Sequence, residues 1–140
     1  MSLLLDTNVL SELRKGARAN AHLRGWFDGV SIDEIHLSVL VVGELRRGIE
    51  LVRRRDTKQA AALERWLKRV TIDHAERILP VDEPVADVWG RLTARQPGSV
   101  IDTLMAATAL VHGLVLVTRN VKDVAWTGVS FLNPFEAASS

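Results

Sequence analysis

The segment LLLDTNVL, residues 3–10, decides the fold, because an apolar run ends there at an acid and a helical spacing begins. Its leucines predict a short buried strand over Leu3–Leu5, and the apolar residues that follow predict a short helix ending near Lys15 and Gly16. Asp6 therefore falls where a strand passes into a helix. Open parallel sheets bind ligands beyond the carboxyl ends of their strands, so Asp6 is a candidate site residue.

Short apolar runs alternate with longer helical periods along the rest of the chain. Further strands are predicted over Ile35–Leu37, Ile78–Leu79, Leu114–Val117 and Val129–Leu132. Helices are predicted over Ala19–Phe27, from Ser38 to Arg55, over Thr57–Arg69, from Asp82 to the break at Gln96, Pro97 and Gly98, and from Ser99 to His112. This order predicts an α/β fold with a central, mainly parallel sheet of about five strands. We expect one domain over residues 1–135 and a loose tail over 136–140.

The second and third of the longer helices are predicted to form a protruding hairpin. Its buried stripes are predicted to consist of Val41, Leu45, Ile49 and Val52 on one helix and Ala60, Leu63 and Leu67 on the other. Exposed apolar residues that would suit a protein contact are Leu51, Val52 and Trp66. The hairpin also carries many of the basic residues, which predict either a solvated face or a surface for an RNA backbone or a partner.

Composition sets wide limits on function. The chain has 140 residues, 47% of them hydrophobic and 25% charged, as in ordinary globular proteins. Its 18 basic and 17 acidic residues nearly balance, so a nucleic-acid surface would have to be local. The absence of cysteine excludes disulfides, thiolate zinc sites and cysteine nucleophiles. No apolar run approaches the length of a membrane span and no secretory signal is readable, so we expect a cytoplasmic protein without membrane contact.

Four polar residues are predicted to meet at one edge of the sheet. Asp6 follows the first strand, and Asn120 comes three residues after Val117 of the fourth strand. Glu44 lies early in the helix after the second strand, and Asp102 lies at the start of the helix that precedes the fourth strand. Two carboxylates about 4 Å apart repel by roughly 4 kcal/mol at an effective dielectric constant of 20. Acids gathered in this way need a cation, and hard oxygen ligands favour Mg²⁺ or Mn²⁺.

Several segments resemble, in order, the motifs of the PIN domain family. The segments are Leu4–Leu10, Ser38–Gly48, Asp102–Ala109 and Val117–Asn120. A further segment, Ile78–Ala86, resembles the FitB and VapC branch of that family, the toxins of bacterial toxin–antitoxin pairs. The resemblance covers nearly the whole chain, and ordered motifs at these spacings are far more specific than a lone Asp-Thr-Asn.

The resemblance implies a PIN-like α/β/α sandwich that acts as a Mg²⁺- or Mn²⁺-dependent endoribonuclease. Asp6, Glu44 and Asp102 match the three core acids of the family and are the implied metal ligands. The fourth family position is commonly Asp but is Asn120 here, which brings no charge, so a second ion would be held less tightly; Asp123 is a substitute. Residues implied to position ligands or the scissile phosphate are Thr7, Asn8 and Thr118. The implied partners are an RNA substrate, a small antitoxin whose tail covers the acid pocket, and a second copy of the chain.

Each acid also has a purely structural explanation when it is taken alone. Asp6 would cap the first helix, Glu44 would pair with Arg46 or Arg47, and Asp102 would belong to a capping pattern with Ser99. A rival function is a catalytically weakened PIN-like module that binds RNA or a protein, with Asn120 as the mark of decay. Receiver domains and haloacid-dehalogenase-type phosphatases would need a second acid beside Asp6, and phosphate-binding glycine motifs are absent from the sequence.

Overall fold

A five-stranded sheet organises the protein, whose computed structural model describes residues 1–136. The strands are β1 (Leu3–Leu5), β2 (Ile35–Ser38), β3 (Ile78–Leu79), β4 (Val115–Val117) and β5 (Phe131–Leu132). Their order is β3-β2-β1-β4-β5, and every neighbouring pair is parallel. The predicted α/β fold with a parallel sheet is confirmed. Because β1 is central and the sheet order reverses beside it, the carboxyl ends of β1 and β4 border the position where such sheets bind ligands.

Seven α-helices flank this sheet in the part of the chain that the structure describes. They are α1 (Thr7–Leu13), α2 (Ala21–Asp28), α3 (Val39–Arg53), α4 (Thr57–Asp73), α5 (Glu83–Arg95), α6 (Val100–His112) and α7 (Val121–Val124). Side-chain oxygens cap the N-termini of most of them, as short polar residues do best. The capping residues are Asp6, Asn20, Ser38, Asp56, Asp82 and Ser99. None of these helices is long and apolar enough to cross a membrane.

The core is centred on β1, where all three leucines are buried. Successive side chains of a strand point to opposite faces, so three consecutive buried leucines require both faces of the sheet to be covered. Leu37 on β2 and Leu116 on β4 continue this core into the neighbouring strands. A strand that is buried on both faces gives Asp6, at its end, a fixed position.

The helical hairpin forms from α3 and α4, as predicted. Val41, Leu45 and Ile49 are buried on α3 and Ala60 and Leu67 on α4. On the outer face Arg46 and Arg53 both pair with Glu50 and Glu64, which joins the two helices by a network of exposed ion pairs. Two predictions here were wrong. Val52 and Leu63 are only half-buried, and of the three residues predicted to be exposed only Leu51 is, because Val52 and Trp66 pack against the core.

Several element boundaries differ from the predictions, each for a local reason. Helix α2 begins two residues later than predicted, because the side chain of Asn20 caps it by accepting from the N–H of Leu23. Helix α4 runs to Asp73, since the buried Val70 continues its apolar stripe beyond Arg69. Strand β4 begins only at Val115, after the left-handed Gly113 (φ 66°).

The C-terminal region also departs from the prediction. Strand β5 begins only at Phe131, because Gly128 adopts a left-handed conformation (φ 83°) and Val129, although buried, pairs with no strand. The short α7 was not predicted. Of the predicted tail, Glu136 is an exposed bend and residues 137–140 lie outside the described residues, so the domain boundary at 135 stays a prediction.

Candidate active site

Asp6 is held at the carboxyl end of β1 by hydrogen bonds from the first residues of α1 and from the loop after β4. It is only 7% exposed, and its Oδ1 accepts from the backbone N–H of Thr7 (2.8 Å). Its Oδ2 accepts from Thr118 Oγ1 (2.7 Å) and Asn8 Nδ2 (3.2 Å). Asp6 therefore caps α1, and its carboxylate also contacts Thr118 from the loop after β4. The structural and functional interpretations of Asp6 are thus compatible. Its orientation is fixed before any ligand binds.

Glu44 lies on α3 and reaches the same edge of the sheet. Its Oε1 accepts a hydrogen bond from Thr7 Oγ1 (2.6 Å), which ties α3 to the first residue of α1. The alternative pairing with Arg46 is wrong, because the guanidinium of Arg46 contacts Glu50 and Glu64 instead. Within residues 1–136, Arg47 has no carboxylate partner either. The half-buried Glu44 thus faces the cluster without a cation beside it.

Asp102 stands in the first turn of α6, where the hydroxyl of Ser99 accepts from its backbone N–H (3.5 Å). The capping pattern predicted for Ser99 is confirmed. Burial raises the pKa of Asp102, and the negative charges of Asp6, Asp123 and, more weakly, Glu44 raise it further. A charge shifts a neighbour's pKa in this way only at short range. The charges of Asp6 after β1, Glu44 on α3 and Asp123 on α7 thus all act on Asp102 on α6, and we call these four residues the acid cluster.

The chemistry of the acid cluster fits a hard divalent cation. All of its donors are carboxylate oxygens, the ligands that Mg²⁺ and Mn²⁺ prefer, and the repulsion that raises the pKa of Asp102 is what a cation would relieve. As the side chains stand, no three acids or histidines within residues 1–136 are gathered tightly enough to ligate one ion. Glu44 in particular is engaged by Thr7. The assignment of Asp6, Glu44 and Asp102 as ligands therefore stays a prediction.

Asn120 and Asp123 behave differently at the start of α7. Asn120 shapes the turn through its backbone: its N–H donates to Thr118 Oγ1 (3.0 Å) and its carbonyl accepts from the N–H of Asp123 (3.1 Å). Its side chain makes no capping hydrogen bond. Asp123, one turn later, exerts a larger effect on the pKa of Asp102 than Glu44 does. In electrostatic terms the fourth acid at this site is Asp123.

Thr118 and Asn8 both donate hydrogen bonds to Asp6 of the acid cluster. Thr118 is fully buried; its hydroxyl donates to Asp6 and accepts from Asn120. Asn8 donates to Asp6 through Nδ2 and accepts from the N–H of Arg119 through Oδ1 (3.2 Å). Together with Thr7, these residues orient carboxylates and join the loops after β1 and β4.

Sequence reasoning missed the packing around the first turn of α6, next to Asp102. Thr103, its buried neighbour, donates from Oγ1 to the carbonyl of Ser99 (2.7 Å) and accepts from Trp89 Nε1 (2.9 Å). A Cβ on Gly98 would lie 3.0 Å from Thr103 Cγ2 and 3.2 Å from the ring of Trp126. A Cβ at position 98 would therefore fit only if Thr103 or Trp126 moved by a few tenths of an ångström. In the sequence, Gly98 signals only a break after Pro97, so nothing indicated this packing role.

A five-stranded parallel sheet with this acid cluster defines a class of protein. The PIN domain family model matches residues 3–123, and the chain belongs to the PIN domain family. The resemblance inferred from the sequence motifs is thereby confirmed.

Relatives extend the match over nearly the whole chain. The chain is 34% identical over 138 residues to Toxin FitB of Neisseria gonorrhoeae, covering 95% of this chain and 98% of that protein. It is 35% identical over 144 residues to VapC ribonuclease Y4jK of Sinorhizobium fredii, covering 97% and 99%. The crystal structure of FitAcB from Neisseria gonorrhoeae superposes with a TM-score of 0.86 at 31% identity, covering 96% of this chain and 99% of that one.

Proposed function

We propose that this PIN domain is a Mg²⁺- or Mn²⁺-dependent endoribonuclease that acts as the toxin of a toxin–antitoxin pair. The observation that supports the proposal is that Thr7 joins Asp6 to Glu44 by hydrogen bonds at the carboxyl end of β1, and that burial and the charges of Asp6, Asp123 and Glu44 raise the pKa of Asp102. The similar proteins named Toxin FitB and VapC ribonuclease support the biological class. The proposed RNA substrate implies a cytoplasmic location.

Asp6 and Asp102 would hold the ion, and Glu44 would complete its ligand shell or orient the attacking water. When bound, the ion supplies Lewis-acid polarisation of a phosphoryl oxygen and lowers the pKa of water. Asp6 is suited to its part because three donors already fix its carboxylate, so little reorganisation is needed. Glu44 offers Oε2 to the site while Oε1 accepts from Thr7.

Asp123 would supply the charge that Asn120 does not. Its carboxylate already acts on Asp102, whereas the backbone of Asn120 serves the turn. This arrangement disfavours the rival in which Asn120 marks a decayed, purely binding module.

Cleavage of single-stranded RNA by purified protein tests the function. Asp6→Asn and Asp102→Asn should each abolish cleavage in Mg²⁺, and EDTA should do the same to the wild type. The matched control is Asp87→Asn, an exposed acid on α5 that pairs with Arg91. Full activity in both cluster variants, or equal activity in EDTA, would show that the acids do not hold a catalytic ion.

The proposed partners are an antitoxin, whose tail would cover the acid cluster, and a second copy of the chain. Exposed apolar residues of the hairpin are Val39 and Leu51 on α3 and Ile72 on α4, and of these Leu51, which is 38% exposed, is the one predicted for such a contact. Arginines surround it on the exposed face, consistent with an amphipathic or acidic partner segment.

A further inference from the structure

A cleft of about 1020 Å³ adjoins the acid cluster, and the function proposed for that cluster gives the cleft no role. It lies between α2 and the segments that follow β4 and β5, and it is lined among others by Trp26, Arg119, Lys122, Asp123 and Phe131. Its volume is slightly above the range of about 300–1,000 Å³ found for ligand pockets. It can therefore hold a base together with its sugar and phosphate. We call it the aromatic cleft.

The aromatic cleft is continuous with the acid cluster through Asp123. That residue lines the cleft, and its charge also acts on Asp102. Asn120 lines the cleft as well, immediately beyond the loop that Thr118 and Asn8 fasten to Asp6. A polymer that reaches the acid cluster from this side must pass along the cleft.

Phe131 gives the cleft an unusual surface. It is 42% exposed, and within residues 1–136 it is the one aromatic side chain that is exposed. It projects from β5, at the edge of the sheet, where its ring is free to contact a ligand. Base–aromatic stacking tolerates any sequence, because every base has a π-face.

Two cations line the same cleft as Phe131. Lys122 is exposed and has no ion-pair partner within residues 1–136. The guanidinium of Arg119 lies 4.5 Å from the ring centre of Phe135, and its charge also reaches Glu12. The acids of the cleft are Asp123, which faces the acid cluster, and the exposed Glu136. Since the chain as a whole is nearly neutral, phosphates approaching four carboxylates need such local cations.

We propose that the aromatic cleft binds the single-stranded RNA that flanks the scissile phosphate, with a base stacked on Phe131 and backbone phosphates beside Lys122 and Arg119. The inference rests on the proposed function and extends it by placing the substrate strand on one side of the acid cluster. A groove that combines positive charge with an exposed aromatic ring is how sequence-tolerant proteins hold single strands.

The test measures binding of a fluorescein-labelled oligouridylate of about 10 nucleotides, a length within the usual range of single-strand sites, by anisotropy in EDTA. Phe131→Leu keeps the apolar bulk and removes the ring, and should weaken binding by a factor of roughly five to a hundred. Phe131→Tyr keeps the ring and should bind like the wild type. Lys122→Ala should weaken binding and reduce the slope of log Kd against log salt concentration by about 1, whereas Arg91→Ala, on α5, should not.

Binding in EDTA separates this inference from the proposed function. Asp102→Asn should retain oligouridylate binding while it loses cleavage in Mg²⁺. If Phe131→Leu and Lys122→Ala bind with wild-type affinity and keep the wild-type melting temperature, the aromatic cleft is not the RNA site, even when the protein cleaves RNA. If Phe131→Leu weakens binding and both Asp6→Asn and Asp102→Asn keep full cleavage, the cleft inference stands and the proposed function fails.

Discussion

Replacing Asp102 by asparagine should stabilise the metal-free protein. The substitution exchanges a carboxylate for a neutral amide of nearly the same shape, in a place where burial and the charges of Asp6 and Asp123 oppose ionisation. A site built to hold a cation carries this repulsion when the cation is removed. Stabilisation by the loss of a charge is therefore expected here, although most substitutions destabilise a protein.

The sign of the pH dependence follows from the direction of the shift. The pKa of Asp102 is raised in the folded protein, so the folded state binds the proton more tightly than the unfolded state does. Stability associated with this group is therefore fully present below the unfolded pKa of about 3.9 and is lost as the pH rises through the folded pKa. The free energy of unfolding of Asp102→Asn should exceed that of the wild type most at neutral pH, and the difference should shrink near pH 4.

The magnitude is limited by solvent. Two carboxylates about 4 Å apart at an effective dielectric constant of 20 would repel by roughly 4 kcal/mol. Asp102 is only half-buried, so screening reduces the gain to about 1 kcal/mol. For a chain of 140 residues this corresponds to a melting temperature about 3–5 °C higher.

Thermal unfolding followed by circular dichroism, in EDTA and then in Mg²⁺, measures the stability of the metal-free protein and the stabilisation that Mg²⁺ adds. The wild type should gain about 2.7 kcal/mol at a Mg²⁺ concentration of 100 times Kd, and Asp102→Asn should gain almost nothing. Asp87→Asn, the exposed control, should resemble the wild type under both conditions. A variant that is less stable than the wild type in EDTA at neutral pH, yet equally stabilised by Mg²⁺, would refute the reasoning.

Three further substitutions probe other parts of the molecule. Gly98→Ala should lower the free energy of unfolding in urea by about 1–3 kcal/mol, because the added methyl group would press on Thr103 and Trp126. The control Gly43→Ala, on α3, has nothing within 4 Å of the added methyl group and should raise it by up to about 1 kcal/mol. Asp123→Asn should reduce the rate of RNA cleavage more than Asn120→Ala does. The reverse order would show that Asn120, and not Asp123, occupies the fourth site position. Leu51→Asp should reduce co-purification of the antitoxin at least tenfold, or about 1.4 kcal/mol, without lowering RNA cleavage, and unchanged co-purification would remove this residue from the proposed contact.

The sequence was sufficient for the features that depend on near neighbours in the chain. Three leucines followed by Asp6 predict a buried strand with an acid at its end, because side-chain burial and strand period are local properties. The stripe of Val41, Leu45 and Ile49 predicts the inner face of α3 for the same reason. Since parallel strands share one carboxyl edge, the sequence also predicts that Asp6, Glu44 and Asp102 lie near that edge, and their assignment as metal ligands stays a prediction.

Tertiary structure alone decided which distant groups meet. The hydrogen bond between Thr118 and Asp6 joins residues 112 positions apart, and no periodicity records such a pair. That Asp123 rather than Asn120 acts on Asp102 depends on the short α7, which the sequence pattern did not predict. The exposure of Phe131 arises because β5 is a short strand at the edge of the sheet. Apolar patterns report how deeply a residue is buried, but the direction of a polar side chain is set by the elements that fold against it.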